Sequence, residues 1–189
     1  MLLETLRCEN GSLLHLSYHQ QRLEKSLRSL QIEKSYDLRA LVIPPAEGVY
    51  RCRFLYNADS YVIEFHPYTP KTVASLKLVT ADSLDYPLKY SDRENLNHLF
   101  DQRGVCDDVL IVKNGLLSDT TIANIALQIE GKWLTPDTPL LMGTTRARLI
   151  EEGFLTPAPL QIDDIAKATK IAIMNAMVGF IEVQNGIIK

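Results

Sequence analysis

Two positions in this chain combine residue type and local setting in a way that could support catalysis or anion binding. Lys89 lies just before a predicted helix, where the positive potential of the helix start favours the neutral amine needed for Schiff-base chemistry. Gly143, Thr144 and Thr145 open another predicted helix, whose first N–H groups and positive dipole end suit an anion such as phosphate. The structural alternatives are a solvated loop lysine and an ordinary helix cap.

Other polar residues also have both a chemical and a structural explanation. Asp119 enters an otherwise apolar strand region and could pair with a cation or cap a turn. Arg22 could bind a phosphate or lie in solvent. His15 and His19 have the i,i+4 spacing of two metal ligands, but the predicted helix begins only at Ser17 and no third ligand is close. We therefore predict structural histidines and no metal site.

Composition and missing motifs exclude several classes of function. The sequence contains no GxGxxG, GxxxxGK[ST], GxSxG or HExxH motif, which disfavours the common dinucleotide, P-loop, hydrolase and zinc-protease sites. A net charge of -3 over 189 residues and the lack of basic runs argue against nucleic acid or a membrane surface as partner. Cys8, Cys52 and Cys106 form no CxxC pair and no signal-like segment begins the chain, so we expect reduced thiols and a cytoplasmic protein.

The first 70 residues are predicted to form a small α+β domain. A helix over 17–30 is predicted from a capping box that starts at Ser17 and from leucines on one helical face. Alternating apolar residues between turn residues predict four strands around this helix. These strands, with a turn at 10–11, cover residues 1–11, 12–16, 49–56 and 61–66.

Residues 71–189 are predicted to form a second, larger domain, after a linker of proline and threonine residues at 67–72. Short apolar runs between turn residues predict strands, and the runs at 108–112 and 122–129 are predicted to pair with each other. The other predicted strands are 76–80, 133–135 and 171–174, and the predicted helices are 92–103, a short one between Thr145 and Gly153, and 162–168. The sequence therefore predicts an α+β fold with two domains, the larger one a mixed β domain with flanking helices.

Several segments, taken in chain order, resemble the motifs of one enzyme family. Residues 3–7 (LETLR) resemble an "ETxR" strand, and residues 19–26 (HQQRLEKS) resemble an "HxxRLxxS" helix. Further similar segments are YRCR, LK followed by Arg93, SDTTIAN, LTP and LMGTTR, at residues 50–53, 88–93, 118–124, 134–136 and 141–146. Together they resemble the class IV fold of pyridoxal-phosphate enzymes, which contains branched-chain aminotransferases, D-amino acid aminotransferases and aminodeoxychorismate lyases.

The resemblance implies the class IV fold and assigns residues to the binding and chemistry of pyridoxal phosphate. Lys89 would form the Schiff base with the cofactor and then act as acid and base. Asp119 would pair with the pyridine nitrogen, at a position where the family usually has Glu. The other cofactor-binding positions that the resemblance implies are Arg22, Asn124, Thr144, Thr145, Asn175 and Ala176.

Within this family, the sequence is most similar to aminodeoxychorismate lyases. The chain starts at the "ETxR" strand, and residues 174–178 read MNAMV where branched-chain aminotransferases have an "SGT" turn. We therefore expect a homodimeric lyase that acts on a small amino substrate, converting 4-amino-4-deoxychorismate to 4-aminobenzoate and pyruvate in folate biosynthesis. The alternatives are an aminotransferase for D-amino or branched-chain amino acids, and a shortened, non-catalytic member that binds a ligand or partner.

Overall fold

The computed structural model describes residues 1–184 and 186–188, and the chain divides into two compact units. Both units combine helices with sheet, so the predicted α+β fold class is confirmed. The first unit contains residues 1–70 and 88–92, and the second contains residues 71–87 and the chain from residue 93 onward. The first division of the structure falls after residue 70.

The segment 88–92 lies in the smaller unit, whereas the sequence analysis placed it in the larger domain. Backbone hydrogen bonds to β1, the first strand of the chain, explain the difference. The Leu3 N–H donates to the Lys89 carbonyl at 2.8 Å, and the Ser91 N–H donates to the Met1 carbonyl at 2.9 Å. Residues 88–92 therefore extend the sheet of the first unit, a pairing between segments nearly 90 residues apart that local sequence patterns do not reveal.

The first unit is an antiparallel sheet with two helices. The strands are β1 (Leu2–Glu9), β2 (Ser12–Leu13), β3 (Val49–Tyr56) and β4 (Tyr61–Pro67), in the order β2-β1-β3-β4, and the helices are α1 (Leu16–Ser29) and α2 (Leu38–Leu41). Alternate residues of β1 and β3 are buried, as expected for strands with one face on a core. Leu6, Leu23 and Phe54 are fully buried at the centre of this core.

Helix α1 begins one residue earlier than predicted and is capped differently. Its N-cap is His15, which adopts a left-handed conformation (φ 52°) and makes no side-chain hydrogen bond to the helix. The capping box predicted at Ser17 is therefore wrong. The Leu14 N–H still pairs with the Arg7 carbonyl at 3.0 Å, so the hairpin pairing continues to residue 14 and the helix begins directly after His15.

The second unit is a larger mixed sheet with helices. Its strands are β5 (Leu76–Thr80), β6 (Asp108–Lys113), β7 (Leu116–Thr120), β8 (Asn124–Ile129), β9 (Lys132–Pro136), β10 (Thr156–Ala158), β11 (Lys170–Asn175), β12 (Gly179–Glu182) and β13 (Ile187–Ile188). Helices α3 (Glu94–Phe100) and α4 (Thr144–Glu151) and two 3₁₀ helices, Asp101–Arg103 and Ile162–Lys167, connect them. The strand order is β10-β9-β8-β7-β6-β5-β13, and β11 pairs with β8 and β12.

Strand β7 was not predicted, and the predicted pairing of β6 with residues 122–129 is wrong. The chain reverses at Asn114 and Gly115, both with positive φ (52° and 78°), and the returning strand β7 pairs with β6 directly. Residues 118–121 are polar and do not show the apolar alternation by which strands are predicted, although every residue from 117 to 120 is buried. Asp119 therefore lies inside the sheet and not in a turn.

Three further features of the chain bear on the sequence analysis. Cys8, Cys52 and Cys106 are all free and buried. Among the described residues, no group of histidine, cysteine and carboxylate side chains is arranged to hold a metal ion. In the same part of the chain, no helix is both long enough and apolar enough to span a bilayer.

Candidate active site

In the first unit, a buried carboxylate holds the candidate phosphate ligand Arg22. Glu4 Oε1 accepts a hydrogen bond from Arg22 Nε at 2.8 Å, and Glu4 Oε2 accepts one from Arg22 Nη2 at 2.6 Å. His19 Nδ1 lies 2.7 Å from the same Oε2. Burial alone would raise the pKa of Glu4, but the charge and hydrogen bonds of Arg22, together with His19, lower it to about 2. Glu4 is therefore ionised at neutral pH and paired with Arg22.

Lys89 lies beside the strand that carries this cluster. The Lys89 carbonyl accepts a hydrogen bond from the N–H of Leu3, which is next to Glu4 on β1. Tyr90 forms an antiparallel β-bridge with Leu2. Tyr90 and Leu88 pack against the apolar core of the first unit. The backbone around Lys89 is thus fixed on both sides, and Lys89 and Arg22 belong to the same unit.

In the second unit, Asp119 is a buried carboxylate with neutral hydrogen-bond donors. Asn124 Nδ2 donates to its Oδ1 at 2.8 Å, and the Leu141 N–H donates to its Oδ2 at 2.9 Å. Asn124 Nδ2 also donates to the Leu141 carbonyl at 2.8 Å, which ties the start of β8 to the loop before α4. Burial raises the pKa of Asp119 to about 7, against the smaller opposing effects of these hydrogen bonds and of the Arg146 charge.

The turn between Asp119 and Asn124 is held by side chains as well as by backbone. Thr120 Oγ1 accepts the Ala123 N–H at 3.0 Å, and the Thr121 hydroxyl donates to Asp108 Oδ1 at 2.8 Å. Asp108 is 1% exposed, and Arg93 Nη2 donates to the Thr121 carbonyl at 2.8 Å. These contacts fix the two ends of the turn, and with them the positions of Asp119 and Asn124.

Thr144 and Thr145 are the first two residues of α4, as the sequence predicts. Both are buried, and Gly143 is the N-cap. The first N–H groups of a helix have no partner within the helix, and glycine offers them no side-chain cap, so they suit an anion. Arg146, in the same turn of the helix, donates from Nη2 to the Pro136 carbonyl at 2.7 Å and so anchors α4 to the end of β9.

Asn175 ends β11 and starts the turn to β12. Its Oδ1 accepts the N–H groups of Met177 at 2.8 Å and Val178 at 3.0 Å, which closes the turn around Ala176. Its Nδ2 donates to the Ile122 carbonyl at 3.2 Å, in the turn that follows Asp119. The side chain of Asn175 is thus a structural link between two turns, and only its backbone and that of Ala176 are candidates for contact with a phosphate.

The structure brings most of the predicted residues into connected sets. In the second unit, hydrogen bonds link Asp119, Asn124 and the loop that leads to α4. A further hydrogen bond links Asn175 to the turn between Asp119 and Asn124. In the first unit, Arg22 and Lys89 both lie against β1.

Sequence reasoning missed Glu4, Asp108 and the Leu141 N–H as parts of these sets. Glu4 carried two usable signals, because it is the first residue of the "ETxR" motif and shares the buried face of β1 with Leu2 and Leu6. Asp108 and the Leu141 N–H carried none, since their partners are remote in sequence.

These residues fit the chemistry of pyridoxal phosphate, which combines a basic ring nitrogen with a phosphate dianion. Asp119 accepts its hydrogen bonds from neutral donors, and the Arg146 charge offsets only part of the cost of its burial, so a protonated ring nitrogen beside the carboxylate would add a stabilising cation. The start of α4 suits the phosphate. The donor set is thus of the kind that the family resemblance implies.

The raised pKa of Asp119 predicts a pH-dependent stability of the protein without cofactor. An unfolded aspartate titrates near 3.8 and the folded one near 7, so between these values the folded state binds the extra proton. The free energy of unfolding should therefore fall by about 4 kcal/mol as pH rises across this window, at about 1.4 kcal/mol per pKa unit. Urea unfolding at about pH 4.5, 5.5 and 6.5 tests this. Asp119→Asn should lack this part of the slope, and an unchanged slope in the variant would contradict the prediction.

Gly143→Ala is expected to destabilise the protein by about 1–3 kcal/mol. The backbone at Gly143 (φ -71°) suits any residue, but a Cβ there would overlap Asn124 Oδ1. Thermal or urea unfolding measures the cost, and a double-mutant cycle with Asn124→Ala identifies its cause. In the Asn124→Ala background, which lacks Oδ1, Gly143→Ala should lower the free energy of unfolding by less than about 0.5 kcal/mol. An equal loss of stability in both backgrounds would contradict the steric explanation.

Comparison with known proteins gives matches over nearly the whole chain. A family model described as amino-transferase class IV matches residues 1–185. An uncharacterized protein of Haemophilus influenzae is 40% identical over 184 residues, which are 94% of this chain and 98% of that protein. A solved structure from Haemophilus somnus, provisionally named a 4-amino-4-deoxychorismate lyase, is 37% identical, with a TM-score of 0.89 over 94% of this chain and 96% of its own. A provisionally named amino-acid aminotransferase from Mesorhizobium loti is 25% identical, with a TM-score of 0.83 over 99% of both chains.

Proposed function

Because the chain belongs to the class IV aminotransferase family, whose members are pyridoxal-phosphate-dependent enzymes, we propose that it is an aminodeoxychorismate lyase. The reaction converts 4-amino-4-deoxychorismate to 4-aminobenzoate and pyruvate, a step of folate biosynthesis. The observation that carries the proposal is the 37% identity, over nearly the whole of both chains, to the Haemophilus somnus protein provisionally named as that lyase. The aligned span covers 94% of this chain, and loops set substrate specificity in sites of this kind.

The cofactor of this proposal is pyridoxal phosphate, and its ligands are the residues that the family resemblance implies. Arg22 binds the phosphate through its guanidinium, a geometry that matches phosphate oxygens. The resemblance also implies that the backbone N–H groups and hydroxyls of Thr144 and Thr145 at the start of α4 would bind phosphate, together with the backbone of Asn175 and Ala176. Asn124 keeps the Asp119 carboxylate oriented by its 2.8 Å hydrogen bond.

Lys89 and Asp119 are the residues that move or hold protons. Bound pyridoxal phosphate supplies an electron sink for the pair left when a C–H bond breaks. Lys89 would hold the cofactor through Nζ, and its amine, once freed by the substrate amine, would take the proton from the substrate carbon that bears nitrogen. Asp119 would favour a proton on the ring nitrogen, because a buried carboxylate is stabilised by an adjacent cation.

The proposed reaction is a 1,2-elimination that needs no water and no second substrate. The proton leaves the carbon that bears nitrogen, and the C–O bond to the enolpyruvyl group breaks at the neighbouring carbon. The new double bond completes the aromatic ring of 4-aminobenzoate. The released enolpyruvate takes up one proton and becomes pyruvate, so the atoms of the substrate are divided between the two products.

An aminotransferase for D-amino or branched-chain amino acids is the second candidate. It is favoured by the match to the Mesorhizobium loti protein, which covers 99% of both chains. The same lysine and acid would serve, but the amino group would stay with the cofactor, and water would supply the oxo oxygen of the released 2-oxo acid. The products therefore distinguish the two candidates.

Product analysis tests the proposed reaction. Purified protein loaded with pyridoxal phosphate is incubated with 4-amino-4-deoxychorismate, and 4-aminobenzoate and pyruvate are quantified separately. Equal amounts of both products are expected. Formation of pyridoxamine phosphate and a 2-oxo acid from D-alanine or leucine, with no 4-aminobenzoate, would instead establish the aminotransferase. No product in either assay would favour a non-catalytic, ligand-binding member of the family.

We propose in addition that the enzyme works as a homodimer, as its resemblance to the family implies. The chain mass is 21.3 kDa, and a dimer has twice that mass. Light scattering of the purified protein with and without pyridoxal phosphate measures the assembly directly. A mass equal to one chain under both conditions would overturn this part of the proposal.

A further inference from the structure

Three polar side chains form a buried cluster inside the first unit: Glu4 on β1, and His19 and Arg22 on α1. Glu4 and His19 are each 1% exposed. Glu4 meets Arg22 along the edge formed by Nε and Nη2, at 2.8 and 2.6 Å, and His19 Nδ1 lies 2.7 Å from Glu4 Oε2. Both carboxylate oxygens are therefore engaged, and the orientation of the Arg22 guanidinium is set by strand β1.

Stability of the fold is a poor explanation for this cluster. Removing two charges from water costs about as much free energy as their attraction returns, so apolar residues of similar size usually serve a core at least as well. Apolar residues suit this face of β1, since Leu2 and Leu6 flank Glu4 on it and are buried. A fixed arginine, and not a stronger core, is what the cluster provides.

The same three residue types also form an exposed cluster in the same unit. Arg53 Nη1 lies 2.6 Å from Glu64 Oε2, and His66 Nε2 lies 3.2 Å from the same oxygen. The side chains of Arg53, Glu64 and His66 are 30%, 36% and 45% exposed. Exposed pairs of this kind fix a side chain weakly, so this cluster is a matched control for the buried one.

We propose that Glu4, supported by His19, is a positioning residue that fixes Arg22 for the cofactor phosphate before the cofactor binds. The inference rests on the proposed function, in which Arg22 is a phosphate ligand. A guanidinium is a rigid fork with five N–H donors, so engagement of its Nε–Nη2 edge also sets the direction of the Nη1 side. The rotamer freedom of Arg22 is restricted in the protein before binding, and the phosphate therefore binds without that entropic loss.

Paired titrations with pyridoxal phosphate and pyridoxal, which lacks the phosphate, test the inference. Apoprotein of wild type, Glu4→Gln and Glu64→Gln is titrated with each compound, and binding is followed by absorbance. Glu4→Gln should weaken the binding of pyridoxal phosphate by about 10- to 100-fold, the loss typical when a residue that orients a metal ligand is removed. It should weaken the binding of pyridoxal by less than about threefold. Glu64→Gln should change neither affinity. Circular dichroism and urea unfolding verify that each variant is folded.

Each other outcome has a defined meaning. Equal weakening of both compounds, or no weakening of either, would overturn the positioning role of Glu4. If wild type itself binds neither compound, the proposed cofactor is wrong, which is a separate failure. If Glu4→Gln does not fold, the same two titrations on His19→Asn test the inference, because this variant removes one contact of the Glu4 carboxylate and leaves the Glu4–Arg22 pair intact. A selective loss for pyridoxal phosphate, smaller than about tenfold, is expected for this variant, and its absence would overturn the inference.

Discussion

Replacement of Lys89 by alanine is expected to lower the rate of 4-aminobenzoate formation by at least about 10³-fold. The loss has two physical causes, because the same amine holds the cofactor covalently and moves the substrate proton. Borohydride reduction should fix the cofactor on wild-type protein, seen as a permanent change of absorbance and mass, and should leave the variant unlabelled. Peptide mapping of the reduced wild type locates the label.

Lys132→Ala is the control for the Lys89 prediction. Lys132 is an exposed lysine at the start of β9, so its removal tests for general effects of losing an amine. This variant should be labelled and active like wild type. Normal turnover by Lys89→Ala, or a label that remains on it, would assign the covalent chemistry to another residue and overturn the proposed mechanism.

Asp119→Asn is expected to lower turnover by about 10²- to 10³-fold without preventing covalent attachment of the cofactor at Lys89. Asparagine has nearly the same shape as aspartate but no charge, so it no longer stabilises a proton on the ring nitrogen. One of its two hydrogen bonds, from Asn124 Nδ2 or from the Leu141 N–H, is also lost, because the new amide group donates and does not accept. Steady-state rates and borohydride labelling of the same sample separate the two effects.

Two further variants define the role of Asp119. Asp119→Glu restores the charge one methylene further out, and we expect it to retain more activity than Asp119→Asn. Asp137→Asn removes an exposed acid from the loop before α4 and should have little effect on the rate. Equal activities of Asp119→Asn and wild type would show that the carboxylate has no part in the chemistry.

Local sequence patterns predicted the parts of the candidate site that short segments define by themselves. The helix start at Thr144 and Thr145 follows from Gly143 and the apolar residues after it, and the turn at Asn114 and Gly115 follows from their preference for positive φ. These preferences act over a few residues, so an isolated sequence reveals them. The family motifs extended this reading to Lys89, whose position alone was compatible with an ordinary surface lysine.

Packing between distant segments defined the rest of the site. Asp119 lies in strand β7 and not in a turn, since pairing with β6 and the hydrogen bond from the Leu141 N–H outweigh the turn preference of its sequence. Nothing near Asp119 in the sequence predicts a donor 22 residues away. The same applies to Glu4, whose partner Arg22 follows 18 residues later.

The sequence by itself determined the family, the helices and strands with marked apolar periodicity, and the residue types available for catalysis. Tertiary structure alone decided that residues 88–92 join the first sheet, that Glu4 holds Arg22, and that Asp119 is buried without an ion pair among the described residues. The physical reason is the range of the interactions. Backbone preferences and side-chain periodicity act between neighbours in the chain, whereas desolvation, charge pairing and strand pairing depend on segments that meet only in the folded protein.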